Sequence, residues 1–367
     1  MVKKAKRGAA AAAVAAVLAA SIGAAAGAST RAAAAETTTV RVGWCARTLS
    51  SAAAPFAIAT KMGWYEAAGI HVQPVPLPGS TDCVKNVATK ELPYSLPSIE
   101  PLAIIRPQGV KAKNFYTAYQ GNIYGIAVPA DSPVKTFADL KGKKIGVTSM
   151  ASGGVIVARA LATANGLNPD RDISLVVAGE AAQTAALIRS KQVDALSQFD
   201  TQYALAENAG ATLRFLDNAE IARFPSNGLV ALDETLATRR AEAVALAQGY
   251  AKGTVFAMAN PEAAIRILYE IYPQTKATGK DDATAMRDDV RTLEARARNW
   301  RLEAGGVEKW GENSLANYDA YIDFLVKQGV VKEKIPAADL VTNELIDDIN
   351  KFDAAAIAAM AKEYKAK

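Results

Sequence analysis

Short apolar and β-branched runs alternate with helical segments along this chain, and the alternation runs through two successive series. In the first series, strands are predicted at 38–44, 70–75, 94–96 and 115–119. A second series starts at Gly125, with strands predicted at 125–129, 144–147, 174–177 and 193–196, and it ends near Phe224. Alternating strands and helices predict mostly parallel sheets covered by helices on both faces. Two such series predict an α/β protein with two lobes.

The chain is predicted to cross between these lobes twice. Residues 229–232 read as a strand that returns to the first lobe, and the chain after Asp233 is almost entirely helical. Helices are predicted at 235–258, 261–271, 281–297, 313–328 and from 351 onward. We therefore expect one lobe to comprise residues 36–125 plus 226–367 and the other 126–225. Crossings near 125–129 and 225–230 would form a hinge beside a ligand cleft.

The first 35 residues are typical of a cleaved secretory signal. Basic residues at the start precede an apolar run from Ala9 to about Ala28, and small residues at 33–35 offer a cleavage site before Glu36. A membrane anchor is the alternative, but Ala, Gly and Ser dilute the hydrophobicity of the run. No Cys follows the run within this segment, which argues against a lipid anchor. We expect a soluble periplasmic protein.

The charge balance gives no support to nucleic-acid binding. The sequence holds 42 Lys and Arg residues against 37 Asp and Glu residues, and five of the basic residues lie in the predicted signal, which has no acidic residue. The remaining chain is therefore nearly neutral, whereas a nucleic-acid-binding surface needs an excess of positive charge. A metal site is not expected either, because the sequence contains one His and two Cys. No cofactor is predicted.

Four segments, in this order and spacing, resemble one known family. They are ATKMGWYEAAGIHV at 59–72, SPVKTFADLKGKKIGV at 132–147, residues 161–168, and residues 186–195. The family is the periplasmic solute-binding proteins of ABC importers for sulfonates, taurine, nitrate and thiamine-pyrimidine precursors. The resemblance covers about residues 38–300. Pro93 and Ser190 depart from the family pattern, which usually has Asp and Gly there, so the ligand subclass stays open.

The resemblance implies a type II periplasmic-binding-protein fold, with two hinge crossovers and a mostly parallel sheet in each lobe. It implies capture of a small organic anion or an aromatic or heterocyclic acid by hinge closure. The expected partners are this solute and an inner-membrane ABC permease, and the protein is expected to be a monomer. In this fold class the first two strands are neighbours. Cys45 and Cys83, in the loops after them, therefore either form a disulfide at the cleft rim or stay free.

In open parallel sheets, ligands bind outside the carboxyl ends of the strands. This rule selects the loops at 44–50, 79–83, 97–100, 120–124, 148–154 and 198–200. The predicted ligand-binding residues of these loops are Trp44, Arg47, Thr48, Ser80, Thr81, Ser98, Glu100, Asn122, Tyr124, Ser149, Ser152, Gly153, Gln198 and Asp200.

Several of these residues carry alternative interpretations. The Gly- and Ser-rich loop at 148–154 would either present N–H groups to an anion or only cap the following helix. Arg47 would pair with an oxyanion or be solvated. Trp44 or Tyr124 would stack on an aromatic ligand or pack in the core. Glu100 would accept hydrogen bonds from an amine or merely begin a helix. His71 is expected to be structural or at the surface.

Three other functions remain as alternatives. A biosynthetic enzyme on the same fold would need a catalytic cluster, and the sequence has no Ser–His–Asp order, no nucleotide-binding glycine motif and no His/Cys cluster. A transcription regulator would need a DNA-binding segment ahead of Thr38, where the predicted signal stands. A sensor that presents its ligand to a membrane receptor would use the same clamp, so the sequence does not separate it from a transport protein.

Overall fold

Ten strands form two five-stranded sheets in a computed structural model, which describes residues 37–365. The predicted signal at 1–35 lies outside the described residues. From Thr37 onward the chain forms one compact unit. The strands are β1 Thr38–Trp44, β2 Ile70–Pro76, β3 Tyr94–Ser95, β4 Ala112–Thr117, β5 Tyr124–Pro129, β6 Lys143–Val147, β7 Ile173–Val177, β8 Ala195–Phe199, β9 Leu213–Phe215 and β10 Gly228–Leu232.

Each sheet is mainly parallel and contains one antiparallel strand. The first sheet has the order β2-β1-β3-β10-β4, and β10 runs antiparallel to both of its neighbours. The second sheet has the order β7-β6-β8-β5-β9, in which β5 is antiparallel to β8 and β9. The antiparallel strands are the ones that enter a sheet after a crossover. We call the parts built on these sheets the first and second lobes.

Helices cover both sheets and form a thick layer on the first lobe, where α1, α10, α11 and α17 pack together. None of the helices in the described chain is long and apolar enough to span a membrane. The helices are α1 Ala54–Lys61, α2 Trp64–Ala67, α3 Ser80–Ala88, α4 Glu100–Ile105, α5 Gly153–Ala164, α6 Ala182–Arg189, α7 Asp200–Asn208, α8 Ala219–Ala222, α9 Asp233–Thr238, α10 Arg240–Ala259, α11 Pro261–Ile271, α12 Asp282–Trp300, α13 Leu302–Gly305, α14 Leu315–Lys327, α15 Ala337–Leu340, α16 Ile346–Ile349 and α17 Ala354–Glu363. Single 3₁₀ turns occur at Ser51–Ala53, Arg106–Gln108, Ala138–Leu140 and Pro273–Thr275.

Elements with strong local signals lie where the sequence predicts them. The first strand at 38–44 and the helix at 261–271 are confirmed at both ends. The Asn260 side chain caps that helix by accepting a hydrogen bond from the Ala263 N–H, and Pro261 occupies its first turn. The Pro-rich strand β2 lies at the edge of its sheet, where proline removes no ladder hydrogen bond on the open side.

Some predictions about local structure are wrong. The helix predicted at 235–258 is divided into α9 and α10. Between β1 and β2 the chain forms a 3₁₀ turn, α1 and α2, and Gly63 separates the two helices by adopting a left-handed conformation with φ of 69°. Residues 198–200 were expected in a loop, but β8 extends to Phe199 and α7 begins at Asp200. The sequence gives no apolar stripe for α7, since its buried residues include Thr201 and Gln202.

Beside the predicted hinge, the lobes are joined by two crossovers and by helix α12. Residues 118–123 connect β4 to β5, and residues 216–227 connect β9 to β10. These crossovers bond to each other, since the N–H groups of Ala118 and Tyr119 both donate to the Asn227 carbonyl at 3.0 Å. The third contact is α12, which packs on both the first-lobe helices and α7 of the second lobe. The lobe boundaries at 125/126 and 225/226 stay a prediction.

A disulfide ties the loop after β1 to α3. Cys45 and Cys83 are bonded, with their Cα atoms 5.9 Å apart. Cys83 lies within α3 rather than in the loop predicted for it. The bond therefore fixes the segment after β1 against a helix at the edge of the interlobe cleft.

Candidate ligand-binding site

A narrow cavity lies between the two sheets, next to the crossovers. The cavity itself has a volume of about 20 Å³, and the space including its open mouth is about 360 Å³. Both lobes and α12 contribute to its wall, which is mostly aromatic and apolar. The lining residues are Trp44, Cys45, Ala46, Ser50, Leu96, Tyr119, Ile123, Tyr124, Phe199, Thr201, Asn227 and Arg296. Larger grooves exist at the surface, but they lie within one lobe or along the helices. The position between the lobes makes the narrow cavity the candidate ligand site.

Aromatic rings define the shape of this cavity. Trp44 ends β1 and is held in place because its indole Nε1 donates a 2.9 Å hydrogen bond to the Thr48 carbonyl. Tyr124 and Phe199, on neighbouring strands β5 and β8, meet edge to face with ring centroids 6.0 Å apart. Rings fixed in this way offer flat apolar surfaces on which a planar ligand can stack.

A buried ion pair forms the charged part of the wall. Arg296 on α12 donates from Nε to Asp200 Oδ2 at 2.9 Å and from Nη2 to Oδ1 at 2.6 Å. Asn299 donates to the same carboxylate at 2.9 Å. The Arg296 guanidinium also lies 3.9 Å from the centroid of the Tyr119 ring. Burial disfavours the charged form of Arg296, but the adjacent Asp200 outweighs it and raises the guanidinium pKa.

Asn227 links the cavity wall to the hinge. Its side-chain amide donates to the Leu96 carbonyl at 2.9 Å, and its main-chain carbonyl accepts the two N–H groups from the other crossover. A ligand that contacts Asn227 would therefore touch a residue that joins both crossovers and the segment after β3.

At the rim, the lobes are joined by one carboxylate. Glu180 of the second lobe accepts a 3.0 Å hydrogen bond from the Arg47 main-chain N–H and a 2.7 Å bond from the Thr48 hydroxyl. The Arg47 side chain itself is exposed and does not line the cavity. The Arg that lines the cavity wall is instead Arg296, which sequence reasoning missed.

A second interlobe contact surrounds Gly79. Ser149 donates from its hydroxyl to the Pro78 carbonyl at 2.7 Å, and the Thr81 N–H donates to the Ala151 carbonyl at 3.0 Å. A Cβ atom on Gly79 would lie 2.4 Å from the Ala151 oxygen. This close approach requires glycine. Ser149 and Thr81 thus hold the lobes together at this point.

The loop at 148–154 begins α5, and its side-chain bond is a helix cap. The Ser152 hydroxyl accepts a 3.1 Å hydrogen bond from the Gly154 N–H. Gly153 packs so tightly that a Cβ there would lie 2.5 Å from Ser98 Oγ and 2.7 Å from Tyr124 Oη. In this closed arrangement the first turn of α5 is occupied by protein groups. Anion contact by Ser152 or Gly153 stays a prediction.

The remaining predicted residues lie behind the cavity wall. Glu100 is fully buried and accepts a hydrogen bond from the Tyr321 hydroxyl. Burial raises its pKa, and the hydrogen bonds to its carboxylate offset this only in part. The Ser98 N–H donates to Ser80 Oγ at 3.1 Å. Asn122 accepts from the Tyr124 N–H at 2.8 Å, whereas Gln198 donates at 3.1 Å to the Gly179 carbonyl and to the Thr184 hydroxyl.

Sequence reasoning missed Tyr119, Phe199, Thr201, Asn227 and Arg296. Phe199 and Thr201 flank the predicted residue Asp200, so the rule on strand ends could have found them. Tyr119 and Asn227 belong to the crossovers, which were predicted as a hinge. No feature of the sequence indicates that Arg296 lines the cavity, because an Arg in a helical segment is ordinarily exposed.

The fold is that of the periplasmic binding proteins, as solved structures show. The alkanesulfonate-binding protein SsuA from Xanthomonas axonopodis superposes with a TM-score of 0.61 at 17% identity, over 84% of this chain and 99% of that one. The periplasmic nitrate-binding protein NrtA from Synechocystis gives a TM-score of 0.61 at 14% identity, over 90% and 99% of the two chains.

The chain belongs to the NMT1/THI5-like family, whose model matches residues 50–264. It is also similar to the riboflavin-binding protein RibY from Chloroflexus aurantiacus. The two are 22% identical over 297 residues, which is 80% of this chain and 82% of the relative. All three relatives are named as binding proteins.

Proposed function

We propose that this protein is the extracytoplasmic solute-binding component of an ABC importer and that it captures a small aromatic or heterocyclic solute. The observation that carries the proposal is the aromatic cavity between the lobes, formed by Trp44, Tyr119, Tyr124 and Phe199. In this arrangement the cavity holds only about 20 Å³, far below the roughly 300–1,000 Å³ of ligand pockets, so the lobes must separate to admit a solute. The flat aromatic side chains of the wall suit a planar ring better than a flexible chain.

Closure of the two lobes supplies the mechanism. The wall of the cavity comes from both lobes, so a bound solute contacts both at once and favours the closed state over the open one. Closure also forms the rim bonds of Glu180. A permease would then recognise the closed form and receive the solute. The proposal involves binding and conformational change, with no covalent step.

The Cys45–Cys83 disulfide supports the extracytoplasmic location, because such bonds persist mainly in oxidising compartments. The transport role is separated from the sensor role by uptake. Cells that lack this protein should fail to accumulate the labelled ligand if it serves an importer. Unchanged uptake together with a lost transcriptional or chemotactic response would favour the sensor.

Tryptophan fluorescence and calorimetry with the purified protein test ligand capture. The panel is benzamide, benzoate, nicotinamide, nicotinate, cytosine, riboflavin, nitrate and methanesulfonate. We expect at least one ring compound to bind and to change the emission of Trp44, which is 6% exposed in the cavity. The change should be much smaller in Trp44→Phe, while calorimetry still detects binding. Binding of nitrate or methanesulfonate without any ring compound would contradict the proposal.

A further inference from the structure

Within residues 37–365, the cavity wall contains a single charged residue, and that residue is already neutralised. Among these described residues, Arg296 is the only Lys, Arg, Asp, Glu or His side chain that lines the cavity, and it is 3% exposed. An unpaired Arg in such a place would bind a carboxylate or sulfonate bidentately. Here Nε and Nη2 of Arg296 both donate to the Asp200 carboxylate, so the Arg296–Asp200 pair contributes no net charge to the site.

Asp200 is also held in place by groups other than Arg296. Asn299 Nδ2 donates to Oδ2 at 2.9 Å, and the Thr201 N–H donates to Oδ1 at 2.6 Å. A carboxylate held by this many donors keeps its bonds to Arg296 and does not yield them to a competing anion. An anionic ligand would have to lose its hydration while facing both a satisfied guanidinium and a fixed negative charge.

Thr201 nevertheless offers the cavity a polar group for a neutral ligand. Thr201 lines the cavity, and its buried Oγ1 has no hydrogen-bond partner among the described residues. A hydroxyl both donates and accepts, so it suits the amide or ring nitrogen of an uncharged heterocycle. A buried hydroxyl without a partner is costly, and a ligand that bonds to it gains that free energy.

The geometry points to Asp200 as the residue that sets the charge specificity of this site: by neutralising Arg296, it makes the cavity prefer an uncharged ring to the anionic ring of the same shape. This inference rests on the proposed function and deepens it. It narrows the solute class expected from the sequence, which included organic anions and acids. Removal of the Asp200 charge should leave the positive charge of Arg296 unpaired and convert the cavity to an anion-binding site.

Two pairs of probes with matched shape test the inference by calorimetry: benzamide against benzoate, and nicotinamide against nicotinate. In the wild-type protein, we expect the amide of at least one pair to bind about tenfold or more tightly than the carboxylate. In Asp200→Asn, the preference should reverse. The double variant Asp200→Asn/Arg296→Gln has neither charge of the pair. In it, the affinity for the carboxylate that Asp200→Asn gains should be lost again.

Asp170→Asn is the matched control. It removes a carboxylate from an exposed ion pair with Arg159 on the same lobe, at 2.7 Å, and should leave both affinities unchanged. Wild-type protein that binds benzoate or nicotinate as tightly as the amides would overturn the inference while leaving ring capture intact. A wild-type protein that binds none of the rings in the panel would overturn the proposed function itself. The wild-type comparison decides the matter even if Asp200→Asn fails to fold.

Discussion

The Thr48 hydroxyl of the first lobe donates a 2.7 Å hydrogen bond to the Glu180 carboxylate of the second lobe. The same carboxylate also accepts the Arg47 N–H. Because these bonds cross the mouth of the cavity, they exist only while the lobes are closed. They make Glu180 a residue whose effect on binding passes through closure and not through contact with the ligand.

Glu180→Ala should therefore weaken ligand binding by about two- to tenfold, as expected from loss of one or two partly solvated hydrogen bonds. The loss should lie mainly in a faster dissociation rate, which stopped-flow fluorescence measures. Asp131→Ala, an exposed change elsewhere on the second lobe, is the control. An unchanged dissociation rate in Glu180→Ala would show that the rim bonds do not hold the closed state.

Arg47→Ala should have little effect on affinity, less than about twofold. Its side chain is exposed, and the bond to Glu180 comes from the main chain, which the substitution keeps. Trp44→Ala should instead weaken ring binding by about tenfold or more, because stacking on a fixed aromatic ring contributes about 0.5–1.5 kcal/mol beyond the apolar area that is buried. Calorimetry with the tightest ring compound compares the two variants. A large loss in Arg47→Ala would place an anionic group of the ligand at the rim.

Glu100 should make the stability of the protein depend on pH. Burial raises its pKa in the folded state, so the folded protein holds this proton more tightly than the unfolded chain does. Stability is therefore lost as the pH rises from the unfolded pKa, about 4.3, through the raised folded value. Glu100→Gln keeps the oxygen that accepts from Tyr321 and should remove this loss.

Urea unfolding of wild type and Glu100→Gln between pH 4 and pH 8 measures the effect. The free energy of unfolding of Glu100→Gln should rise relative to that of wild type as the pH rises. The two values should converge towards pH 4. The exposed change Glu91→Gln should leave the pH profile unaltered. If the difference in unfolding free energy between Glu100→Gln and wild type does not vary with pH, then the raised pKa of Glu100 does not affect stability.

The Cys45–Cys83 disulfide should contribute about 2–4 kcal/mol to the free energy of unfolding, because it closes a loop of 38 residues in the unfolded chain. The double variant Cys45→Ser/Cys83→Ser should unfold at correspondingly lower urea concentration. Dithiothreitol should destabilise the wild type and have no effect on the double variant. Equal sensitivity of the two proteins to the reductant would show that the bond does not stabilise the fold.

Arg296 should show strong coupling to Asp200 in stability. Arg296→Gln alone leaves the Asp200 carboxylate buried without its cation, and the loss should be about 3–5 kcal/mol. Adding Asp200→Asn should recover part of this loss, because the uncompensated charge is then removed. Urea unfolding of both single variants and the double variant gives the coupling. Additive losses would mean that the two groups do not interact in solution.

Much of the fold follows from local patterns. The β-branched run of β1, the cap and proline that begin α11, and the prolines of edge strand β2 each act within a few residues. The restart of the alternation at Gly125 likewise indicated two sheets, and the sheet topology confirms them. By contrast, α7 was not predicted, since its buried residues include Thr201 and Gln202, and its polar side chains Asp200 and Asn208 find their partners on α12.

The sequence by itself determined the α/β class, the two sheets and the loops near which a ligand would sit, because strand and helix periodicity and the carboxyl-end rule depend on residues that are close in the chain. Only the tertiary structure decided the charge of the site. Arg296 and Asp200 are 96 residues apart; the sequence marks Asp200 only as a polar residue at a strand end, and Arg296 alone reads as an ordinary surface charge. Whether two opposite charges cancel depends on distances of a few ångströms between side chains, and the packing of α12 against α7 sets those distances.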